Sequence, residues 1–234
     1  MNIAIIGYGK MGKAIEEILI ERGHTVSVRL NRKPEADDLK NIDVAIEFSN
    51  PEVAFENISI LLENKIPTIS GTTGWLEKLE EIKTINSKNN SAFLYGSNFS
   101  LGVNLFFELN THLAKLMKKH FDYKIEIEEI HHTQKLDAPS GTAISLAQQI
   151  IENSDLNQWE LDQKSSDENL PIFAKRIDNV PGTHTVAYNS EVDSIEIKHT
   201  AHSRKGFALG AVLAAEWIHG KQGFFSMKDV LGLN

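Results

Sequence analysis

The chain has 234 residues, of which 41% are hydrophobic and 24% charged, and its formal net charge at pH 7 is −8. This composition is typical of a globular protein with one large or two small domains, and the acidic balance argues against nonspecific nucleic-acid binding. The absence of cysteine excludes disulfides, thiolate metal sites and a cysteine nucleophile. No apolar run approaches the roughly 20 residues of a membrane helix, and the first residues lack the pattern of a secretory signal. We therefore expect a cytoplasmic protein that binds neither membranes nor nucleic acid.

The first motif is a glycine-rich turn between a predicted strand and a predicted helix. Residues 2–6 form a short apolar run typical of a buried parallel strand, and a GxGxxG sequence follows at once. Its first glycine permits a tight turn, its second lets a pyrophosphate approach the backbone, and its third lets the helix pack on the strand. A tight turn that binds nothing is the alternative. The predicted dinucleotide-binding residues here are Gly7, Tyr8, Gly9, Lys10, Met11 and Gly12.

The end of the second predicted strand bears on the choice of dinucleotide. A carboxylate there would hold the ribose hydroxyls of NAD, but the chain carries Arg29 and Arg32, and its first acids are Glu35, Asp37 and Asp38. Guanidinium groups suit a 2′-phosphate. Our hypothesis is that NADPH is preferred, or at least well accepted, through Arg32 or Arg29. Solvated surface charges are the alternative interpretation.

The order of the predicted elements indicates an α/β protein with two domains. Strands and helices alternate to about residue 100, which predicts a parallel Rossmann-type sheet. Beyond this point a long helix is followed by strands that are mostly successive, which predicts an α+β domain with a mixed open sheet. Such a sheet has an exposed face that must be covered. The strands predicted in this second domain are residues 123–130, 172–178, 183–189 and 193–200.

The most informative segment runs from Glu126 to Ala143. Its first residues alternate, so Ile127 and Glu129 are predicted to lie on one face of a strand. Two histidines and a lysine follow, and a turn containing Pro139 then leads into a predicted helix that opens at residue 140. A helix start attracts carboxylates or phosphates through its free N–H groups and its dipole.

The cationic residues of this segment suggest a chemical role. His131, His132 and Lys135 lie just before the helix start, and a histidine or a buried lysine can transfer a proton near neutral pH. We therefore predict an anion pocket with a built-in proton donor. The alternatives are a solvated strand end with an ordinary turn, or a metal site. The metal site is disfavoured because adjacent strand residues point to opposite faces, so His131 and His132 cannot easily bind one ion.

This segment resembles the signature of the 4-hydroxy-tetrahydrodipicolinate reductase family of bacterial lysine biosynthesis. The family pattern E-x-H-H-x-x-K-x-D-A-P-S-G-T-A is matched at every fixed position from Glu129 to Ala143. The resemblance implies reduction of 4-hydroxy-tetrahydrodipicolinate to tetrahydrodipicolinate in the diaminopimelate route, with NADPH or NADH as cofactor. It implies His131 as general acid/base and Lys135 as proton donor. The residues that it implies for the substrate carboxylates are His132, Ser140, Gly141 and Thr142.

The resemblance extends to other parts of the chain. It implies a homotetramer, a dinucleotide-binding domain over residues 1–100, a substrate-binding and tetramerisation domain over 101–216, and a segment 217–234 that returns to the first domain. It also implies two further cofactor-binding loops. Their residues are Gly71, Thr72 and Thr73 in the first loop, and Ser97, Asn98 and Phe99 in the second.

Two features near the end of the second domain are compared with the family. Val180-Pro181-Gly182-Thr183 lacks the arginine that commonly precedes the glycines, and Arg176 is a candidate to compensate for it. Arg204 ends an H-x-A-x-x-R turn of the family type and is expected to be structural or near the site.

Two functions of other classes stay open. One is a dinucleotide-sensing regulatory protein that binds NAD(P) without turnover. The other is a metal-dependent hydrolase that uses the histidines, although we expect no metal in this protein.

Overall fold

The structure, a computed structural model, describes residues 1–203 and 205–233. The chain separates into one unit formed by Met1–Leu101 with Lys205–Asn234, and a second unit formed by Gly102–Arg204. The sequence-based division differs at the return point, because it assigned residues 205–216 to the second domain. The helix at these residues belongs to the first unit, where the small side chains of Ala208, Ala211 and Ala215 are fully buried in its core.

The elements follow the predicted order closely. The strands are β1 (Asn2–Ile6), β2 (Thr25–Leu30), β3 (Val44–Glu47), β4 (Thr68–Ser70), β5 (Ala92–Tyr95), β6 (Lys124–His131), β7 (Gln158–Leu161), β8 (Asn169–Arg176), β9 (Gly182–Asn189), β10 (Ser194–Ala201) and β11 (Gly223–Phe225). The helices are α1 (Lys10–Glu21), α2 (Pro51–Glu63), α3 (Leu79–Asn89), α4 (Leu101–Met117), α5 (Gly141–Glu152), α6 (Lys205–Ile218) and α7 (Met227–Leu231).

The first unit is a parallel α/β sheet, as its alternating elements predict. Its six strands lie in the order β11-β5-β4-β3-β1-β2, and all neighbouring pairs are parallel. The buried residues 3–6 of β1 and 44–46 of β3 are apolar because helices cover both faces of such a sheet, and β3 ends at the buried Glu47. The carboxyl ends of β1, β2 and β3 therefore lie side by side, where open α/β sheets bind ligands.

The second unit contains a five-stranded mixed sheet. Its order is β10-β9-β6-β8-β7, with antiparallel pairs on the β9 side of β6 and parallel pairs on the β8 side. Alternation along β6 buries Ile127, Glu129 and His131 and leaves the intervening residues more exposed, as predicted. Ile127, Leu146 and Tyr188 are fully buried in the core of this unit, which also includes side chains of α4 and α5. This register brings His131 to the end of β6 that precedes the predicted anion pocket.

Two details differ from the sequence-based predictions. Leu109 and Leu116 follow a helical spacing that predicts core positions, yet they are 50% and 59% exposed because only one side of α4 packs on this sheet. The C-terminal residues form β11 and α7, which were not predicted as elements, whereas the short strand β7 lies in the polar stretch after α5, whose sequence allows one. Among the described helices, none combines the length and apolarity required to cross a bilayer.

Candidate functional site

The glycine-rich turn occupies the end of β1, and two of its three glycines have a steric reason to lack a side chain. Gly7 has φ +95°, and a Cβ there would lie 2.1 Å from the carbonyl oxygen of Phe48. A Cβ on Gly12 would lie 2.6 Å from the Gly7 oxygen, which explains how α1 packs so closely on β1. Gly9 faces open space, with nothing within 4 Å of such a Cβ. A phosphate can therefore approach the backbone at Gly9.

The neighbouring residues of this turn are held by α1 and β2. The Tyr8 amide donates to Asn31 Oδ1 at 2.7 Å, and its hydroxyl donates to Glu16. Lys10 is exposed and Met11 is partly buried against the core of the unit. The turn is consequently fixed from two sides, while its outer surface stays accessible.

A cavity of about 330 Å³ opens beside this turn in the first unit. It lies between the ends of β1, β2 and β3 and the start of α2, which is where a Rossmann sheet binds a dinucleotide. The open space at Gly9 and the guanidinium of Arg32 fit the phosphates of such a ligand. The lining residues are Ile6, Gly7, Gly9, Asn31, Arg32, Lys33, Phe48, Ser49, Asn50, Val53 and Asn57.

The two arginines proposed for a 2′-phosphate occupy different places. Arg29 donates to Glu16 of α1 and to the Val26 carbonyl, so its charge is already engaged away from the cavity. Arg32 lines the cavity and donates to both oxygens of Asp38 at 2.8 Å. The hydrogen bonds from Arg32 lower the pKa of Asp38. Arg32 is therefore the better placed of the two, but a phosphate must compete with Asp38 for it.

The first predicted cofactor loop is organised by a buried carboxylate that the sequence analysis did not single out. Glu47, at the end of β3, is 0% exposed and accepts hydrogen bonds from the hydroxyls of Ser70 at 2.6 Å and Thr72 at 3.0 Å. A Cβ on Gly71 would lie 2.2 Å from the ring of Phe48, which requires a glycine there. Thr72 is buried and Thr73 is exposed. The loop thus presents Thr73 outward while Glu47 holds Thr72.

The second predicted cofactor loop follows β5 and is only partly exposed. Ser97 is exposed, and Asn98 Oδ1 accepts from the Ser100 amide at 2.8 Å. Phe99 is 2% exposed, and its ring packs 5.5 Å from that of Phe48. Any contribution of residue 99 to a ligand site therefore comes from its backbone, because its side chain belongs to the core.

In the second unit, Glu129 lies at the centre of the segment that carries the family signature. Its side chain is 0% exposed, and Oε2 accepts from the Ser140 amide at 3.0 Å. His184 Nε2 lies 3.7 Å from the same oxygen, and Arg176 lies 3.3 Å from Oε1. Burial opposes ionisation of Glu129, but the nearby imidazole of His184, the donors of Ser140 and the charge of His131 outweigh it and lower its pKa to about 2. Glu129 is thus a fixed negative charge beneath the loop.

His131 is buried beside this carboxylate. Its Nδ1 lies 3.7 Å from Glu129 Oε2, and its ring meets that of His184 edge to face at 5.0 Å. Burial lowers the pKa of His131 to about 4, and the attraction of Glu129 does not reverse this effect. A Cβ on Gly182 would lie 3.1 Å from His131 Nε2, so the glycine after Pro181 leaves room for the imidazole. His131 is therefore uncharged at neutral pH.

The loop after β6 is held by Arg176, the residue considered as a substitute for the missing arginine. Its guanidinium donates to the carbonyl oxygens of Asp137 at 2.6 Å and Lys135 at 3.3 Å. Lys135 Nζ in turn donates to both oxygens of Asp137, at 2.7 and 2.6 Å. His132 is half-buried. Arg176 thus fixes the backbone from which Lys135 extends.

The first turn of α5 has features that suit the binding of an anion. Ser140 caps the helix by accepting from the Ala143 amide at 3.2 Å, and its hydroxyl lies 3.0 Å from His184 Nε2. Gly141 is exposed and Thr142 is half-buried, so the first turn of the helix remains accessible. The predicted residues His131, His132, Lys135 and Ser140 are therefore brought together on one loop and helix start, as expected from their order in the chain.

The same residues could bind a metal ion. Ligand atoms of Glu129, His131 and His184 all lie within 4.8 Å of one another, and all three residues are buried. Arg176 already places a positive charge 3.3 Å from the Glu129 carboxylate, which disfavours a second cation there. The adjacent pair His131 and His132 does not form this group, in agreement with the strand argument.

Two residues of this arrangement were not assigned a role from the sequence. The alternation of β6 predicts the strand face of Glu129, which is also the first residue of the signature, but no pattern in the sequence singles out His184. Their contact depends on the register of two antiparallel strands, in which Glu129 pairs with His184. A buried acid within an alternating strand was the available signal for Glu129. Arg204 lies outside the described residues.

Comparison with known proteins identifies relatives along the whole chain. The family model described as Dihydrodipicolinate reductase, N-terminus matches residues 1–99, and the one described as Dihydrodipicolinate reductase, C-terminus matches residues 102–231. The 4-hydroxy-tetrahydrodipicolinate reductase of Christiangramia forsetii is 58% identical, with 99% of this chain and 98% of the relative covered. The enzyme of the same name from Thermosipho africanus is 37% identical over 99% and 98% of the two chains.

Solved structures show the same fold. A dihydrodipicolinate reductase from Paenisporosarcina sp. TG-14, solved with dipicolinate bound, has a TM-score of 0.77 and 23% identity, covering 98% of this chain and 99% of that one. An aspartate dehydrogenase from Thermotoga maritima has a TM-score of 0.52 and 14% identity, covering 92% and 95% of the two chains. At these identities the likeness concerns the fold alone.

Proposed function

Because this chain belongs to the dihydrodipicolinate reductase family, we propose how its residues carry out the reaction of that family. The chain is an NAD(P)H-dependent oxidoreductase that reduces 4-hydroxy-tetrahydrodipicolinate to tetrahydrodipicolinate in the diaminopimelate route to lysine. Its relatives are enzymes, so a regulatory protein without turnover has no support from them. We assign the dinucleotide to the first unit and the dicarboxylate to the second.

The assignment of the substrate site rests on one observation. Glu129 forms a hydrogen bond with the backbone at the start of α5. Glu129 accepts from the Ser140 amide, so Ser140 is held while the next N–H groups, of Gly141 and Thr142, stay available. We propose that these groups, the Ser140 hydroxyl and His132 bind the substrate carboxylates. A helix N-terminus with cationic neighbours is suited to a dianion.

We assign the proton chemistry to His131 and Lys135. The substrate must first lose its 4-hydroxyl group as water, which leaves an unsaturated imine. When bound, the reduced nicotinamide would supply a hydride to the electron-poor carbon of this imine, and a proton must reach the neighbouring carbon. His131 is uncharged at neutral pH because burial lowers its pKa to about 4. This favours Lys135, held by Asp137, as the group that delivers the proton. His131 then acts as the general acid/base once a bound dianion raises its pKa.

For the cofactor, we propose that both NADH and NADPH are accepted and that Arg32 contacts the 2′-phosphate of NADPH. Arg32 lines the cavity beside Gly9, whereas Arg29 is engaged by Glu16. The glycine turn would hold the pyrophosphate, and the loops with Thr73 and Ser97 would lie toward the nicotinamide. Asp38 competes for Arg32, so we expect the preference for NADPH to be moderate.

The family and the open sheet are the basis for proposals on the quaternary structure and on the cellular location of the enzyme. We propose a homotetramer that covers the sheet of the second unit, whose strand β10 leaves Ile195 39% exposed. We propose that the enzyme acts in the cytoplasm, where the absence of cysteine is unremarkable.

A coupled assay with freshly prepared substrate tests this function. Tetrahydrodipicolinate formation would be followed through the loss of NADPH or NADH absorbance as the cofactor is oxidised. Substrate-dependent turnover with at least one cofactor is expected. Turnover that survives a chelator would also exclude the metal-dependent hydrolase, whereas absence of dinucleotide oxidation would overturn the proposal.

A further inference from the structure

The wall of the dinucleotide cavity contains a buried amide whose oxygen has no partner. Asn57 lies on α2, is 2% exposed and lines the cavity beside Gly9 and Arg32. Within residues 1–203 and 205–233, its Oδ1 has no hydrogen-bond donor. A buried acceptor without a donor is costly, so such an atom indicates a ligand or an ordered water.

The orientation of this amide is determined by its neighbours. Glu47 is a buried acceptor, and the Ser49 hydroxyl donates its proton to Glu47 Oε1. Ser49 Oγ is then left to accept, and Asn57 Nδ2 donates to it at 3.4 Å. Rotating the amide would place two acceptors, Asn57 Oδ1 and Ser49 Oγ, against each other. Glu47 thus acts through Ser49 to leave Asn57 with a free acceptor.

The position of Asn57 indicates which part of the dinucleotide this residue contacts. The pyrophosphate belongs at the glycine turn, and the ribose next to it belongs at the end of β2, near Arg32. Asn57 lines the same cavity from α2, whereas the glycine turn follows β1 and Arg32 follows β2. Phosphate oxygens have no proton to donate to its free acceptor. The remaining donor on the adenosine half is the exocyclic amine of adenine.

We propose that Asn57 is a specificity-determining residue whose Oδ1 accepts a hydrogen bond from the adenine amine. This inference rests on the proposed dinucleotide site of the first unit. It makes Asn57 the residue that distinguishes adenine from a purine with an oxygen at the same position.

The test is a comparison of dissociation constants for NADH and reduced nicotinamide hypoxanthine dinucleotide, in which an oxygen replaces the amine. Both are measured by ligand fluorescence without substrate, so no turnover is needed. Wild-type protein should bind NADH about tenfold more tightly, as expected for the loss of one buried hydrogen bond. In Asn57→Leu, NADH should bind about tenfold more weakly than to wild type and the two ligands should bind nearly equally.

Asn86 provides a matched control. It is 3% exposed, its Oδ1 likewise has no donor among the described residues, and its Nδ2 donates to the Gly223 carbonyl at 2.9 Å, but it does not line the cavity. Asn86→Leu should retain the wild-type preference for NADH.

Four outcomes would overturn the inference. Equal binding of the two ligands by wild type would do so without any variant, even if Asn57→Leu failed to fold. Unchanged NADH affinity in Asn57→Leu, or an equal loss for both ligands, would show that Asn57 does not contact the amine. Wild-type protein that binds neither dinucleotide would overturn the proposed function as well.

Discussion

Glu129 on β6 and His184 on β9 face each other across an antiparallel pair, with 3.7 Å between Oε2 and Nε2. Both side chains are buried, and both contact Ser140, the residue that caps α5. The start of α5 is therefore held both by β6, which precedes it directly in the chain, and by β9, which follows it only after two further strands. The proposed carboxylate site depends on this contact because it uses the first N–H groups of the helix.

The proposed proton chemistry predicts the effect of two substitutions. His131→Gln and Lys135→Ala should each reduce kcat by about 100-fold or more, as is typical for the loss of a general acid or base. The affinity for NADPH should stay nearly unchanged because neither residue lies in the first unit. Steady-state kinetics and NADPH titration provide the measurements.

Leu136 is a suitable control for these variants. It lies in the same loop, and its side chain is 97% exposed. Leu136→Ala should keep the wild-type kcat. Normal turnover in both His131→Gln and Lys135→Ala would refute the assigned roles.

Acid should weaken the second unit in two steps. The folded-state pKa of His131 is lowered from 6.5 to about 4, so the unfolded chain binds more protons and stability falls as the pH drops through this interval. The pKa of Glu129 is lowered from 4.5 to about 2, so its contribution is present above 4.5 and is lost as the pH falls toward 2. Each step should amount to at most about 3 kcal/mol.

The first step is measured by urea denaturation of the whole protein from about pH 7 down to about pH 4, which is the folded-state pKa of His131. His131→Gln should show a smaller loss of unfolding free energy over this interval than wild type, whatever its stability at neutral pH. The same slope in both proteins would contradict the assignment of this step to His131.

The pairing of Arg32 with Asp38 predicts how cofactor choice can be changed. Asp38→Asn removes the carboxylate that competes for Arg32, so the ratio of kcat/KM for NADPH to that for NADH should rise several-fold. Arg32→Ala should lower this ratio. Lys40→Ala is the control, because Lys40 is an exposed cation that pairs with Asp37 and does not line the cavity. If Arg32→Ala and Lys40→Ala have the same effect, Arg32 does not contact the 2′-phosphate.

Two glycines of the turn should respond differently to alanine. A Cβ on Gly12 would meet the Gly7 carbonyl oxygen, so Gly12→Ala should destabilise the protein by about 2 kcal/mol through overpacking. Gly9 faces open space, so Gly9→Ala should leave the melting temperature nearly unchanged and weaken dinucleotide binding. Thermal unfolding and NADH titration separate the two effects. A large loss of stability in Gly9→Ala would show that this position is structural.

The sequence alone determined the local features of this protein. The GxGxxG turn and the signature from Glu129 to Ala143 are continuous in the chain, so their residue types and spacing predict a Rossmann-type sheet, a helix start and a cluster of cations. The periodicity of β6 predicted correctly that Ile127 and Glu129 share a face. Short-range geometry is enough for such predictions because one element imposes it.

Only the tertiary structure decided which distant residues complete these features. The pairing of Glu129 with His184, the contact of Arg176 with the Lys135 loop and the sharing of Arg32 with Asp38 depend on strand register and on side-chain packing. Burial also decided that His131 is uncharged at neutral pH. Neither register nor burial is encoded in local spacing, because both result from the summed free energy of the whole core.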